Sequence, residues 1–243
     1  LLSQELKEKV INNFRANDIK NGGEGAPLTP VYHKLLINKF KINNPTLILN
    51  IGGISNYTYC FNDTLAAKDI GPGNVLMDEY LKKTKGIDYD KNGDIASSGN
   101  INKDIINQFY EHEFYNVQQK HSFDRNEFDF SFVKGLEFED AVATLTYFTA
   151  LIISQNIKKN FDNEIEIILC GGGRRNLALV NHIKKLLKYK IKLIDEFSID
   201  GDFIESQAFA YLSIRSYLNK IISYPSTTNV LNPVTGGEIK INF

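Results

Sequence analysis

Three apolar, strand-like runs in this chain each lead into a cluster of glycines: Thr46–Ile51 into Gly52-Gly53, Ala66–Asp69 into Gly71-Pro72-Gly73, and Ile165–Cys170 into Gly171-Gly172-Gly173. In open α/β sheets ligands gather beyond the carboxyl ends of strands. A glycine there lets the backbone approach a phosphate or sugar that any Cβ would obstruct. One such bend is more often an ordinary tight turn. Three of them, flanked by Asn56, Asp69, Asn74 and Asn176, point to a ligand-binding edge.

Helical patterns alternate with these runs. Pro30 opens a helix to about Phe40, a favourable early place for proline. Further helices are predicted over Val75–Lys83, along the stripe Ile101, Ile105, Ile106 and Phe109, over 137–159, over 177–188 and over 203–218. Tyr57–Phe61 returns from Gly52-Gly53 as a hairpin, 190–194 reads as a further strand, and Val10-Ile11 with Phe14 as a short one. Residues 1–6 read as a helix end and Asn21–Pro27 as a loop. Strands interleaved with helices predict an α/β fold.

Composition narrows the function classes. With 42% hydrophobic and 12% aromatic residues the chain is globular. A net charge of -1 and a pI near 6.5 give no general pull toward nucleic acid or anionic lipid. Cys60 and Cys170 lie far apart without metal spacing, and no run reaches the roughly 18 apolar residues of a membrane span. A cytoplasmic protein with no membrane and no nucleic-acid partner is expected. Residue 1 is Leu and the only methionine is Met77, so the chain reads as the later part of a longer one.

Among candidate chemical groups, Asp69 stands out because it closes a short strand and opens a Gly-Pro-Gly loop. A general base needs that rigid placement; the competing reading is an Asp that caps its own turn. Asp18 and Glu24 flank the first loop and suit substrate hydroxyls, and Arg15 suits an anion, although a surface ion pair would use the same residues. The histidines 33, 112, 121 and 182 lack i,i+4 spacing, so no protein-held metal is expected. There is no G-x-G-x-x-G, no Walker loop and no G-x-S-x-G elbow.

Taken in order, the motifs resemble one family. Phe14-Arg15 through Asp18 to Gly22-Gly23-Glu24-Gly25-Ala26-Pro27-Leu28 resembles F-R-x-x-D-x-x-x-G-G-Q-G-A-P-L. Asn50-Ile51-Gly52-Gly53-Ile54-Ser55-Asn56 resembles N-I-G-G-I-A-N, and Asp69-Ile70-Gly71-Pro72-Gly73-Asn74 resembles D-T-G-P-G-N. Asp90 to Gly93, Ala96 and Gly99 match the next block; Cys170–Gly173 with Asn176, Asp195-Glu196, Gly201-Asp202, Glu205, Ala208–Ala210 and Asn232–Gly237 match later ones. The pattern is similar to that of the anhydro-N-acetylmuramic acid kinases.

The resemblance implies an actin-like, Hsp70-like (ribonuclease H-like) sugar kinase fold of two lobes. Residues 1–44 would be a remnant of the first lobe and 45–243 the second lobe with its C-terminal helix and tail. It implies ATP and Mg²⁺ as cofactors, a small sugar substrate, and ring opening with phosphorylation at O6 in cell-wall recycling. Asp69 would be the catalytic base. Arg15, Asp18, Gly23, Glu24, Gly25 and Asn74 would bind the sugar. Asn50, Gly52, Gly53, Asn56, Gly71, Gly73, Gly171, Gly172, Gly173 and Asn176 would bind ATP.

The chain departs from the family pattern in four places. The family loop G-T-S-x-D-G is absent, Ile70 replaces a threonine, Glu24 replaces a glutamine, and K-S-T-G-R-E survives only in part as His121–Asn126. The expectation is a chain inactive alone, with a complementing N-terminal fragment or a second copy as macromolecular partner. A non-catalytic remnant that folds or binds sugar is the alternative.

Overall fold

The computed structural model of the chain describes residues 2–110, 123–161 and 165–242. In chain order the first elements are α1 (Leu2–Leu6), β1 (Val10–Asn12), α2 (Ala16–Lys20), α3 (Pro30–Lys39), β2 (Thr46–Ile51), β3 (Ile54–Phe61) and β4 (Thr64–Pro72). Then follow α4 (Val75–Lys85), α5 (Asp94–Ser98), helical residues 103–110 (α6) and α7 (Phe138–Asn160). The remainder is β5 (Glu166–Cys170), α8 (Leu177–Leu186), β6 (Lys190–Leu193), α9 (Ile204–Tyr217), α10 (Pro225–Thr228) and β7 (Glu238–Lys240).

Contacts divide the chain into two units. The larger comprises Asn44–Tyr57 and Asp69–Asp202. It is built on a mixed five-stranded sheet ordered β4-β3-β2-β5-β6. β2 and β5 run parallel, from Thr46 opposite Glu166 to Asn50 opposite Cys170, and β6 adds in parallel to β5. Both central strands are near-continuous apolar runs because both faces are covered: Leu47, Ile48, Leu49 and Ile167, Ile168, Leu169 are all buried. Each such side chain contributes about 1.5–3 kcal/mol by leaving water. The 23-residue α7 buries Val142, Leu145, Phe148, Ile152, Ile153 and Ile157 in the same core. α4 stops where Gly86 takes a left-handed conformation at φ 68°.

The other unit comprises Leu1–Asn43, Thr58–Lys68 and Phe203–Phe243. Its core brings Leu28 and Val31 together with Leu212 and Ile222, and Phe14, Leu65, Phe209, Tyr211 and Tyr224 pack around them. β1 pairs antiparallel with β7, Val10 opposite Lys240. Residues 203–243, read in sequence with the stretch after 44, thus make their contacts with 1–43.

Two local expectations change. β4 does not end at Asp69 but continues through Pro72, so Asp69 lies within a strand whose next residue, Ile70, is fully buried. Residues 16–20 form a helix turn where no element was expected. No described helix is long and apolar enough to cross a membrane.

Candidate functional site

β3 and β4 each follow their predecessor through a two-residue turn, so β2, β4 and β5 all end at one edge of the sheet. Their glycine bends interlock there. The Gly73 amide donates to Gly53 O at 2.8 Å, and the Asn74 amide to Gly52 O at 2.7 Å. Ser55 Oγ donates to Pro72 O at 3.0 Å from within β3. Gly171, at φ 78°, passes so close to β2 that a Cβ would collide with Asn50 Oδ1 and lie 2.6 Å from Ile51 O. A Cβ on Gly173 would strike the Ile51 side chain. These glycines are required first by packing of one bend on another. Gly172 differs: a Cβ there meets nothing nearer than Asn74 Nδ2 at 3.7 Å.

Gly172 opens onto a cavity of about 390 Å³ that Asn74 and Asn176 also line, with Asp88, Tyr89, Arg175 and Asp202. Asp88, Tyr89 and Arg175 carried no signal in the sequence, because loop residues of mixed character follow no period, and Asp202 entered only as part of a matching block. Asn176 caps α8, its Oδ1 accepting from the Leu179 amide at 3.0 Å. Behind the third bend, Arg174 is only 3% exposed. Its Nε and Nη2 donate to the two oxygens of Asp195 at 2.7 and 3.0 Å, and its Nη1 donates to Asp202 Oδ1 at 2.8 Å and Gly171 O at 3.1 Å. Arg175 also pairs with Asp202. The hydrogen bonds to Asp195 raise the Arg174 guanidinium above its usual range, and those from Arg174 lower the Asp195 carboxyl. Cys170, beneath this turn, is pushed up to about 12 by burial and stays a neutral thiol.

Asp69 sits in β4, 8% exposed. Its Oδ2 accepts the Phe123 amide at 3.0 Å, so the segment that retains part of K-S-T-G-R-E orients this carboxylate. Of that segment, Asp124 caps the next turn by accepting from the Asn126 amide at 2.9 Å, whereas His121 and Ser122 lie outside the described residues, as does His112. Asn50, Gly53, Asn56 and Gly71 belong to the same sheet edge, Asn56 on β3 and Gly71 in β4 at φ 124°.

Arg15, Asp18, Gly23, Glu24 and Gly25 belong to the other unit. Asp18, in α2, is 1% exposed. Its Oδ1 accepts the Gly25 amide at 2.7 Å and its Oδ2 the Thr228 hydroxyl at 2.6 Å. That carboxylate holds the 21–27 loop, which contains a cis Ala26–Pro27 bond, against α10. Glu24 adds a bond from Asn229 Nδ2 at 2.7 Å. Arg15 precedes α2 and is exposed. Among the described residues no group of three or more His, Cys, Asp or Glu is placed to hold a metal ion.

A family model described as anhydro-N-acetylmuramic acid kinase matches residues 1–241. The chain is 50% identical over 254 residues to the anhydro-N-acetylmuramic acid kinase of Pelagibacter ubique (strain HTCC1062), covering 100% of this chain and 68% of that protein. It is 39% identical over 240 residues to the protein of the same name from Zymomonas mobilis subsp. mobilis, covering 98% and 65%. The chain therefore spans about two thirds of the length of these relatives. Among solved structures it is similar to the activator of the 2-hydroxyisocaproyl-CoA dehydratase from Clostridium difficile with bound ADPNP, at 18% identity and a TM-score of 0.44 over 75% of this chain and 66% of that one.

Proposed function

Since this chain belongs to the anhydro-N-acetylmuramic acid kinase family, we propose that the protein opens 1,6-anhydro-N-acetylmuramic acid by hydrolysis and phosphorylates O6. The product is N-acetylmuramic acid 6-phosphate. The observation that carries this reading is Asp69: a nearly buried carboxylate, held by the Phe123 amide, on the strand that ends in the interlocked glycine bends.

Asp69 accepts a proton from the water that attacks C1. The C1–O6 bond breaks as the C1–O bond forms, and O6 leaves as the nucleophile for phosphoryl transfer. Bringing these events together needs positioning more than covalent chemistry. ATP, when bound, would supply the γ-phosphoryl group to O6, the bond to its β,γ-bridging oxygen breaking so that ADP leaves.

The residues of the bend region fit that nucleotide. Gly172 leaves its Cβ direction open to the 390 Å³ cavity, where Asn176, Tyr89 and Arg175 would surround the nucleoside; Asn74, expected at the sugar, lines the same cavity. The Gly52-Gly53 bend would face the phosphates. Mg²⁺ would be held largely by phosphate oxygens and water, as this ion prefers. Arg15, Glu24 and the loop anchored by Asp18 would meet the sugar.

The activity is proposed for the whole protein; turnover by the 243 residues alone is proposed to be negligible. Mass spectrometry tests it, comparing this chain with a chimera that adds the stretch of the Pelagibacter ubique relative it does not span. Given ATP and the anhydro sugar, the chimera should form a product heavier by one water and one phosphoryl unit. A product phosphorylated with its anhydro ring intact, or none, overturns the reading.

A further inference from the structure

A cavity of about 580 Å³ lies wholly within the smaller unit, that of Leu1–Asn43, Thr58–Lys68 and Phe203–Phe243, and shares no residue with the glycine bends. That volume suits a small molecule. Its floor is the edge of the α3–α9 core: Val31, Leu65, Tyr211 and Tyr224. Two cations also line the cavity, Lys34 from α3 and Arg215 from α9.

Neither cation has a carboxylate partner among the described residues. Arg215 donates Nε to Ile221 O at 2.8 Å and Nη1 to the Tyr211 hydroxyl at 3.2 Å, and its guanidinium lies 5.7 Å from the Tyr211 ring centroid. Lys34 donates only to the Asp63 carbonyl, at 3.4 Å. An arginine carries five N–H donors in a planar fork, and the two bonds above leave the others unspent. The fork is thus fixed in orientation by neutral acceptors, which costs little further ordering when an anion arrives. Asp63, Thr64 and Ser226 complete the lining with acceptors and hydroxyls.

We propose that this cavity binds a phosphorylated monosaccharide. The phosphate meets Arg215 and Lys34, a fork and a point charge both suited to phosphate oxygens. The apolar face of the sugar ring packs on Tyr211 and Tyr224, and its hydroxyls pair with Asp63, Thr64 and Ser226. Two aromatic residues, Tyr211 and Tyr224, distinguish the site from a mere anion patch.

Titration calorimetry of the full 243-residue chain with glucose 6-phosphate as probe tests this. Saturable binding at millimolar concentration or below is expected, weakened at least about tenfold by Lys34→Gln and by Arg215→Gln, as for loss of a charge-assisted hydrogen bond. Lys34 makes no bond that the core needs, so Lys34→Gln remains informative if Arg215→Gln fails to fold. Glucose should not bind, and inorganic phosphate should bind more weakly than the sugar phosphate. Binding that survives Lys34→Gln, inorganic phosphate equal to glucose 6-phosphate, or no saturation at millimolar concentration would each overturn the assignment.

Discussion

Arg174 grips Asp195 through two parallel hydrogen bonds, Nε to Oδ2 at 2.7 Å and Nη2 to Oδ1 at 3.0 Å, and the same guanidinium holds the carbonyl of Gly171. One buried side chain therefore anchors the third glycine bend. Removing the arginine takes the guanidinium from Asp195 and from the Gly171 carbonyl, while Asp202 keeps Arg175. Because Asp195 and Asp202 are partly exposed, the loss falls below that of a fully buried pair, at about 2–3 kcal/mol for Arg174→Met. Asp195→Asn keeps one acceptor and should cost about 1 kcal/mol. The sign with pH follows from the lowered Asp195 carboxyl. Its contribution is complete above the ordinary value of 3.8 and is lost as pH falls through the lower folded value. Denaturant curves of wild type and Asp195→Asn should therefore converge in strong acid; a gap that persists there counts against the pair.

Gly172 and Gly173 are adjacent, yet their substitutions should act differently. Gly173→Ala drives a methyl into Ile51, with Ile51 Cβ 2.7 Å away, and overpacking of this kind costs about 1–3 kcal/mol. Gly172→Ala meets only Asn74 Nδ2 at 3.7 Å and points toward the 390 Å³ cavity. It should melt like wild type but bind ATP more weakly. Thermal melts alongside ATP titration separate the two; equal melts would remove the packing explanation of the bends.

The sheet strands and the three bends were legible because β2 and β5 are covered on both faces and read as unbroken apolar runs. The bends' interlocking was not, since nothing local tells that Gly173 is pressed on Ile51 while Gly172 has room beside Asn74. Pairing of Val10 with Lys240 joins three-residue strands at opposite ends of the chain, too short for any period to register. The two oxygens of Asp18 meet Gly25 and Thr228, which no spacing in the sequence announces. The anchor at Thr228 lies 210 residues away, a partner only the fold supplies. Arg174 carried a usable signal, following the third bend, but no spacing relates it to Asp195 and Asp202.

His33 is fully buried, its Nδ1 2.7 Å from the Thr58 hydroxyl. Burial lowers it from 6.5 to about 4. It is neutral in the folded chain but protonates near 6.5 once unfolded, so stability should fall as pH drops from 6.5 toward 4. The group contributes about 2 kcal/mol of loss between pH 7 and pH 5. His33→Gln should be less stable at pH 7 but flatter across that interval. Urea unfolding at the two pH values measures it, and an unchanged slope in the variant would show that His33 is not the group responsible.

Asp69→Asn, in the chimera described above, tests whether the carboxylate is a base or a structural acceptor. Asparagine keeps the shape and can still accept the Phe123 amide through its carbonyl oxygen, so the fold and sugar affinity should survive. What disappears is the ability to take a proton from water. General-base catalysis contributes roughly 10²–10⁴-fold, and the loss should fall on kcat with little change in KM. The upper end is expected, since without attack at C1 the O6 nucleophile never forms. If Asp69 served only to hold the Phe123 segment, the substitution would instead lower the melting temperature by an amount fitting about 1 kcal/mol, with modest kinetic change. Steady-state kinetics and a thermal melt on the same preparation decide between these outcomes. An early melt with kcat near wild type would make Asp69 structural and remove it from the proton transfer proposed above.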